Sequence, residues 1–251
     1  MSLARRHRDR CLATASAAAA ALAPEQRGPE GPEATAYELM RAQLGQDLAK
    51  LREIQSTEGK IGLKCDLIPN YYAWCAGVLD AVAAEGATGA QDDVVAQIMI
   101  WAIDVEDYRL ALDLAAYVLR WKVELPSRFE RTAGCVVAEQ IAENALKTLG
   151  AGDAFDLAVL LEADDLTAGE DMPDQVRAKL AKAIGLELAR AADAIEAGAD
   201  GPAGAKRAAT EGAISRLRRA LELDPKAGVK KQVERLERER IKLAAGDEGG
   251  A

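Results

Sequence analysis

No stretch of this sequence alternates polar and apolar residues for long enough to make a half-buried strand, and its β-branched runs are short. What recurs instead is a block of Ala, Leu and charged residues closed by Gly or Pro. Such residues lose little side-chain freedom in a helix, and Gly and Pro stop one. An all-α fold follows: a multi-helix bundle. Of 251 residues, 49% are hydrophobic but only 4% aromatic, so one large or two small domains can form with cores built mainly from small side chains.

The breaks divide the chain. Residues 1–33 carry Arg, an Ala tract able to form transient helix, and then Pro24, Gly28, Pro29, Gly31 and Pro32. They read as a flexible basic arm and linker. A central helical domain is expected over 34–150. Its first helix opens near Thr35, with Glu38 three residues on in capping-box order, and is interrupted at Gly59 and Gly62. A second run covers Leu67 to Ala84, with Tyr72, Trp74, Val78, Leu79 and Val82 as core candidates. Further helices are expected over Asp92–Ile103, Asp107–Trp121 and Thr132–Leu149. A C-terminal helical region follows over 151–243, with helices over Phe155–Leu166, from Pro173 to about Ala197, over Ala205–Leu223 and from Lys226 to about Leu243. The segment Ala220–Pro225 between the last two gives that pair a TPR-like, helical-hairpin flavour. Residues 244–251 read as a polar tail.

Several function classes are disfavoured. The cysteines Cys11, Cys65, Cys75 and Cys135 have no metal-ligand spacing, and His7 is the single histidine. No metal site and no catalytic arrangement built on histidine is expected. Without a GxxxxGK[ST] loop the chain is not expected to be an ATPase. No apolar run reaches membrane-spanning length. The Arg-plus-Ala start resembles a signal peptide, but its apolar part is weak and its positive block contains Asp9, so a cytoplasmic location is expected.

The net charge of −9 is unevenly spread. Residues 206–242 hold 12 Lys/Arg against 6 Asp/Glu, and residues 80–200 hold 10 against 24. Basic ends on an acidic body suit contact with a polyanion. The candidates are Arg5, Arg6, Arg8 and Arg10 at the start, Lys206, Arg207, Arg216, Arg218 and Arg219 on one helix, and Lys230, Lys231, Arg235, Arg238 and Lys242 on the next. Their alternative is an ordinary solvated face, with Glu234, Glu237 and Glu239 as ion-pair partners one turn away. Acidic clusters at Asp92/Asp93, Asp104/Glu106/Asp107 and Asp164/Asp165/Glu170/Asp171 could hold Mg²⁺ for phosphodiester cleavage. Helix-start acids offsetting the macrodipole are the plainer account. Trp74, Trp101, Tyr108, Tyr117 and Trp121 lie on apolar stripes and are expected in the core rather than on a base-stacking platform. The all-round apolar run Val94–Trp101 suggests more apolar surface than a monomer needs, hence a homo-oligomer.

Three stretches resemble the small terminase subunit family of temperate, cohesive-end tailed phages. They are Gly89-Ala-Gln-Asp-Asp-Val-Val-Ala-Gln-Ile-Met-Ile-Trp101 continued by Glu106-Asp-Tyr-Arg-Leu-Ala-Leu-Asp-Leu-Ala-Ala-Tyr-Val-Leu119; Met172-Pro-Asp-Gln-Val-Arg-Ala-Lys-Leu180 with Gly185-Leu186; and Leu223-Asp-Pro-Lys-Ala-Gly-Val-Lys-Lys-Gln-Val-Glu-Arg-Leu-Glu-Arg-Glu239. The opening Ala4-Arg-Arg-His7 matches as well. The resemblance implies a protein that binds the packaging site on double-stranded viral DNA, assembles with itself, and recruits and regulates a large subunit carrying the ATPase and nuclease. Members of this family are also labelled the endonuclease subunit, the reading under which Mg²⁺ would be needed. The resemblance further implies a Lys/Arg/Pro-rich tail. This sequence ends Gly-Asp-Glu-Gly-Gly-Ala, so DNA contact is expected to be weaker there or to shift to the N-terminal arginines.

Overall fold

A computed structural model describes residues 3–21, 32–83, 86–126, 129–195 and 204–248, with the side chains of 18–21, 32–35 and 245–248 left out. Most of the expected linker, the loop at 198–203 and the last three residues lie outside these. Among the described residues the protein is all-α, with no strand. The helices are α1 Leu3–Ala21, α2 Pro32–Glu53, α3 Thr57–Leu67, α4 Tyr72–Ala81, α5 Asp93–Asp104, α6 Tyr108–Arg120, α7 Ala133–Ala151, α8 Leu157–Thr167, α9 Asp174–Ala194, α10 Ala205–Leu223 and α11 Lys230–Glu248. A one-turn 3-10 helix, Ile68–Asn70, joins α3 to α4. The chain forms two compact units, residues 1–133 and 134–251. Helix α7 therefore groups with the helices after it.

In the first unit α5 is the central element. Every residue from Val94 to Ile103 is buried, and α6, α2 and the 3-10 turn pack around it. The apolar circumference that suggested a second copy is thus covered by the chain itself. Asp92 caps α5, accepting hydrogen bonds from the Val94 and Val95 amides (2.9 and 3.0 Å), and Asp107 caps α6 through the Leu110 amide (3.2 Å). Two expectations need correction. The helix over residues 57–67 runs straight through Gly59 and Gly62, because the break falls earlier, where Ser56 Oγ accepts from the Gly59 amide at 3.0 Å. The 3-10 turn also resets the register of α4, so Tyr71 is fully buried and Tyr72 is exposed.

The N-terminal segment is a docked helix rather than an arm. Ala13 of α1 lies fully buried against Gly77 of α4, and Thr14 Oγ1 donates to the Gly77 carbonyl oxygen at 2.9 Å. The absence of a side chain at Gly77 permits this approach.

In the second unit α9 packs against α8 and, most extensively, against α10. Helices α9 and α10 run antiparallel: Gly185 meets Leu217, Leu188 meets Gly212, and Lys206 Nζ donates to the Ile195 carbonyl oxygen at 3.3 Å. Helix α11 closes a core of Ala189, Ala213, Ile214, Leu217, Val229, Val233 and Leu236. It starts at Lys230, four residues later than the Asp-Pro signal suggested. Asp224 Oδ1 accepts from the Lys226 amide at 2.8 Å, and Gly228 takes a left-handed φ of 77°, so residues 224–229 form a turn. The helix then continues to Glu248, through part of the expected tail.

A methyl group at Gly77 would run into the backbone carbonyl of Arg10 and stand 2.6 Å from the Ala13 methyl, and a backbone atom cannot rotate away. Gly77→Ala is expected to destabilise the fold by about 1–3 kcal/mol and to deprotect α1 amides selectively. Urea denaturation combined with hydrogen exchange checks this; unchanged α1 protection would contradict the docking.

Candidate nucleic-acid interface

Helix α11 presents the clearest basic surface. Val229, Val233 and Leu236 are buried, which fixes the inward side of the helix. At roughly 100° per residue, Lys231, Arg235, Arg238 and Lys242 fall within an arc of about 60° on the outward side. All four are exposed. Lys231, Arg238 and Lys242 make no ion pair among the described residues, although Arg238 Nε donates to the Glu234 carbonyl oxygen at 3.1 Å. Lys230 is likewise exposed. It and Lys231 open the helix at the positive end of its dipole, with no acid in the first turn, an arrangement that helix stability disfavours.

The cations of α10 and Arg235 are paired. Arg207 pairs with Glu211 (3.0 Å) and Arg219 with Glu222 (3.0 Å) along their own helix. Arg218 joins Glu237 of α11. Arg216 reaches Asp164 of α8 at 2.6 Å, and its partial burial makes it a tie between helices. Arg235 contacts Asp193 of α9 at 3.0 Å and Glu239 at 3.7 Å, and Lys206 lies 3.5 Å from Glu239. Exposed pairs of this kind contribute about 0–1 kcal/mol each and exchange readily for another anion. The structure thus splits the sequence candidates into a largely open stripe on α11 and a paired set on α10.

The N-terminal arginines belong to the other compact unit. Arg6 is exposed. Arg5 and Arg8 flank Asp9, each at 3.7 Å, and Arg10 bonds to Asp80 of α4, whose carboxyl it holds below the usual carboxylate range. Arg10 therefore helps to seat α1.

Several acids of the three clusters have structural roles. Asp93 pairs with Arg41 (2.9 Å), Asp104 bonds to Lys64, Asp107 caps α6, and Asp164 holds Arg216. The end of α8 is pinned by Arg177, which donates to the carbonyl oxygens of Thr167 (3.0 Å), Ala168 (3.3 Å) and Glu170. Among the described residues no three His, Cys, Asp or Glu side chains gather as metal ligands do. Trp74, Trp101 and Tyr117 are core residues. The sequence reading missed the stripe as a stripe, although its spacing of four, three and four residues was visible.

Comparison with known proteins agrees with the sequence resemblance. A family model described as "Phage small terminase subunit" matches residues 41–175. The chain is 39% identical over 206 residues to "Terminase, endonuclease subunit" of Escherichia phage P2, covering 82% of this chain and 75% of that relative. No solved structure matches significantly.

Asp92 allows a pH test that separates a structural acid from a reactive one. It is 5% exposed, and besides its two amide donors it accepts from Trp74 Nε1 at 3.0 Å. Burial pushes its carboxyl from an ordinary 3.8 up to about 6, against the pull of those three donors. Between about pH 4 and 6 the folded chain holds a proton that the unfolded chain has released, so stability falls as pH rises through this window and stays lower above it. The melting-temperature advantage of the wild type over Asp92→Asn is expected to shrink from pH 4 to pH 7. A difference that is flat across this range would refute the assignment. Asp92→Ala is expected to lose about 1–3 kcal/mol at pH 7, because three buried donors are orphaned, and more at pH 4.

Proposed function

Because the chain belongs to the phage small terminase subunit family, we propose that it binds double-stranded viral DNA at the cohesive-end packaging site and recruits and regulates the large, ATP-hydrolysing terminase subunit in the host cytoplasm. The observation that carries the DNA half of this reading is the outward stripe of Lys231, Arg235, Arg238 and Lys242 on a helix whose opposite side is buried. Lys and Arg spaced along one line can each meet a phosphate, and every phosphate neutralised releases counterions. Lys230 adds an exposed cation beside the line at the helix start, roughly 100° round from Lys231. Arg5, Arg6 and Arg8 offer a second, smaller contact on α1. No helix among the described residues is long and apolar enough to cross a membrane. Self-assembly is part of the proposal, since several copies on one duplex multiply weak contacts.

A second reading, that this chain itself nicks DNA, is favoured by the printed name of the phage P2 relative. It would draw on acids of the Asp164–Asp171 segment and on added Mg²⁺. Mg²⁺-dependent nicking of a cohesive-end plasmid, lost in Asp165→Asn with Asp171→Asn, would establish it.

Mobility-shift titration at several salt concentrations tests the preferred reading. With four phosphates engaged, the slope of log K against log salt is expected near −3 to −4, from about −0.9 per phosphate. Replacing Lys231, Arg235, Arg238 and Lys242 by Gln is expected to weaken binding at least tenfold and flatten the slope, with the helical content unchanged. Negligible binding at low salt would leave a helical scaffold that contacts only protein. Co-purification with the large subunit, and stimulation of its ATPase, tests recruitment.

A further inference from the structure

One acid on this surface has no evident structural task. Glu239 sits among four cations: Lys206 at 3.5 Å, Arg235 at 3.7 Å, and Arg238 and Lys242, with which it lines an open groove of about 460 Å³. Both the 3.5 Å and the 3.7 Å contact exceed ordinary hydrogen-bond length for charged groups. Neither cation needs Glu239 for its place: Lys206 already donates to the Ile195 carbonyl oxygen, and Arg235 is already held by Asp193. The other charged link between α10 and α11, Arg218 with Glu237, is a close hydrogen-bonded pair that ties the two helices. Glu239 supplies nothing comparable. It is an anion placed among cations and held only by two long ion pairs, without a close hydrogen bond to either.

Four donor-bearing side chains around one loosely held carboxylate form an anion site with a resident anion. Counting the second acid in contact, Asp193, the cluster keeps two positive charges, enough to attract a phosphate but not enough to hold one strongly. We propose that the groove lined by Arg235, Arg238 and Lys242, with Lys206 close to its Glu239, is a phosphate subsite for the DNA backbone, and that Glu239 competes for it and sets the affinity of the surface. This rests on the DNA-binding reading above. A backbone phosphate entering the groove makes charge-assisted hydrogen bonds to the guanidinium and ammonium groups, and the Glu239 side chain, which is partly exposed, turns towards solvent. A chain with a net charge of −9 that carries its own competitor binds DNA only where several cations engage together.

The test compares the full-length wild type with Glu239→Gln and Glu222→Gln, using a duplex of about forty base pairs and, separately, sodium tripolyphosphate titrated by calorimetry. Glu222 pairs with Arg219 away from the groove, so its substitution makes the same change in net charge without touching the site. Glu239→Gln is expected to bind duplex at least about fivefold more tightly at 0.1 M salt, the scale of one unit charge at contact distance in water. Its salt slope should steepen by about one. It should gain tripolyphosphate binding that Glu222→Gln does not. Adding Arg238→Gln and Lys242→Gln to Glu239→Gln should abolish both gains. Equal affinities for wild type and Glu239→Gln, or equal gains for the two glutamate variants, would overturn the proposal. If no variant binds duplex but Glu239→Gln alone gains tripolyphosphate, the groove is an anion site and the DNA reading fails.

Discussion

Helices made largely of alanine bury little apolar area per residue, so they form a core only by coming very close together. This constraint organises both compact units. In the first, α1 and α4 meet where Gly77 lets the Arg10 carbonyl and the Ala13 methyl approach its backbone. In the second, Gly185 receives Leu217, and Ala178, Ala181, Ala189 and Ala192 of α9 are buried along with Ala213 and Ala220 of α10. Backbones that pack this closely sum many weak dispersion contacts instead of relying on a few large side chains. The large side chains that do occur, Tyr71, Trp74 and Trp101, are concentrated around α5. At the helix starts Ser56, Asp92, Asp107 and Asp156 satisfy amide donors that the helices leave unpaired, Asp92 in a buried position and Ser56 and Asp156 in exposed ones.

With the inward faces committed to small apolar residues, charge can be sorted on the outside at little cost to the fold. Acids serve as caps or hold helices together, as Asp164 does for Arg216 and Asp80 for Arg10. The buried Glu187 accepts from the Phe155 amide and from Arg190, which anchors the segment before α8. The cations of α10 are consumed in similar pairs. On α11, Arg235 is paired with Asp193, whereas Lys231, Arg238 and Lys242 make no ion pair among the described residues, and Val233 and Leu236 anchor that helix from its other side.

Much of the architecture was legible because its signals are local. Asp before an apolar run announced α5 and α6, Pro173 announced α9, and the extent of α10 follows from its composition alone. Features that depend on distant residues were not legible. An Arg- and Ala-rich start reads as an arm unless one knows that Gly77, some sixty residues on, offers it a seat. The apolar circumference of α5 suggested a partner copy, whereas α2 and α6 cover it. Gly59 and Gly62 looked like breakers, but the cost of a glycine within a helix, about 1 kcal/mol, is small beside a well-formed Ser56 cap. The candidate interface was half legible. Counting charges identified its cations. Which of them stay available depends on the tertiary neighbours Glu237, Asp193 and Asp164, whose positions no sequence spacing gives.

That split bears on what an acidic protein can do with DNA. A surface bearing three cations without an ion pair among the described residues, a fourth already paired to Asp193, and several flanking acids is a weak anchor on its own: each phosphate contact is screened by salt, and each nearby carboxylate repels the same backbone. Affinity then rises steeply only when contacts are added in register, by a second basic surface such as α1 or by a further copy on the same duplex. A strongly basic protein would coat any DNA it met. Under the proposed function, a mainly acidic one with a short cationic line on a well-anchored helix would stay off DNA until geometry brought several lines into play, which is what marking one place on a long molecule demands.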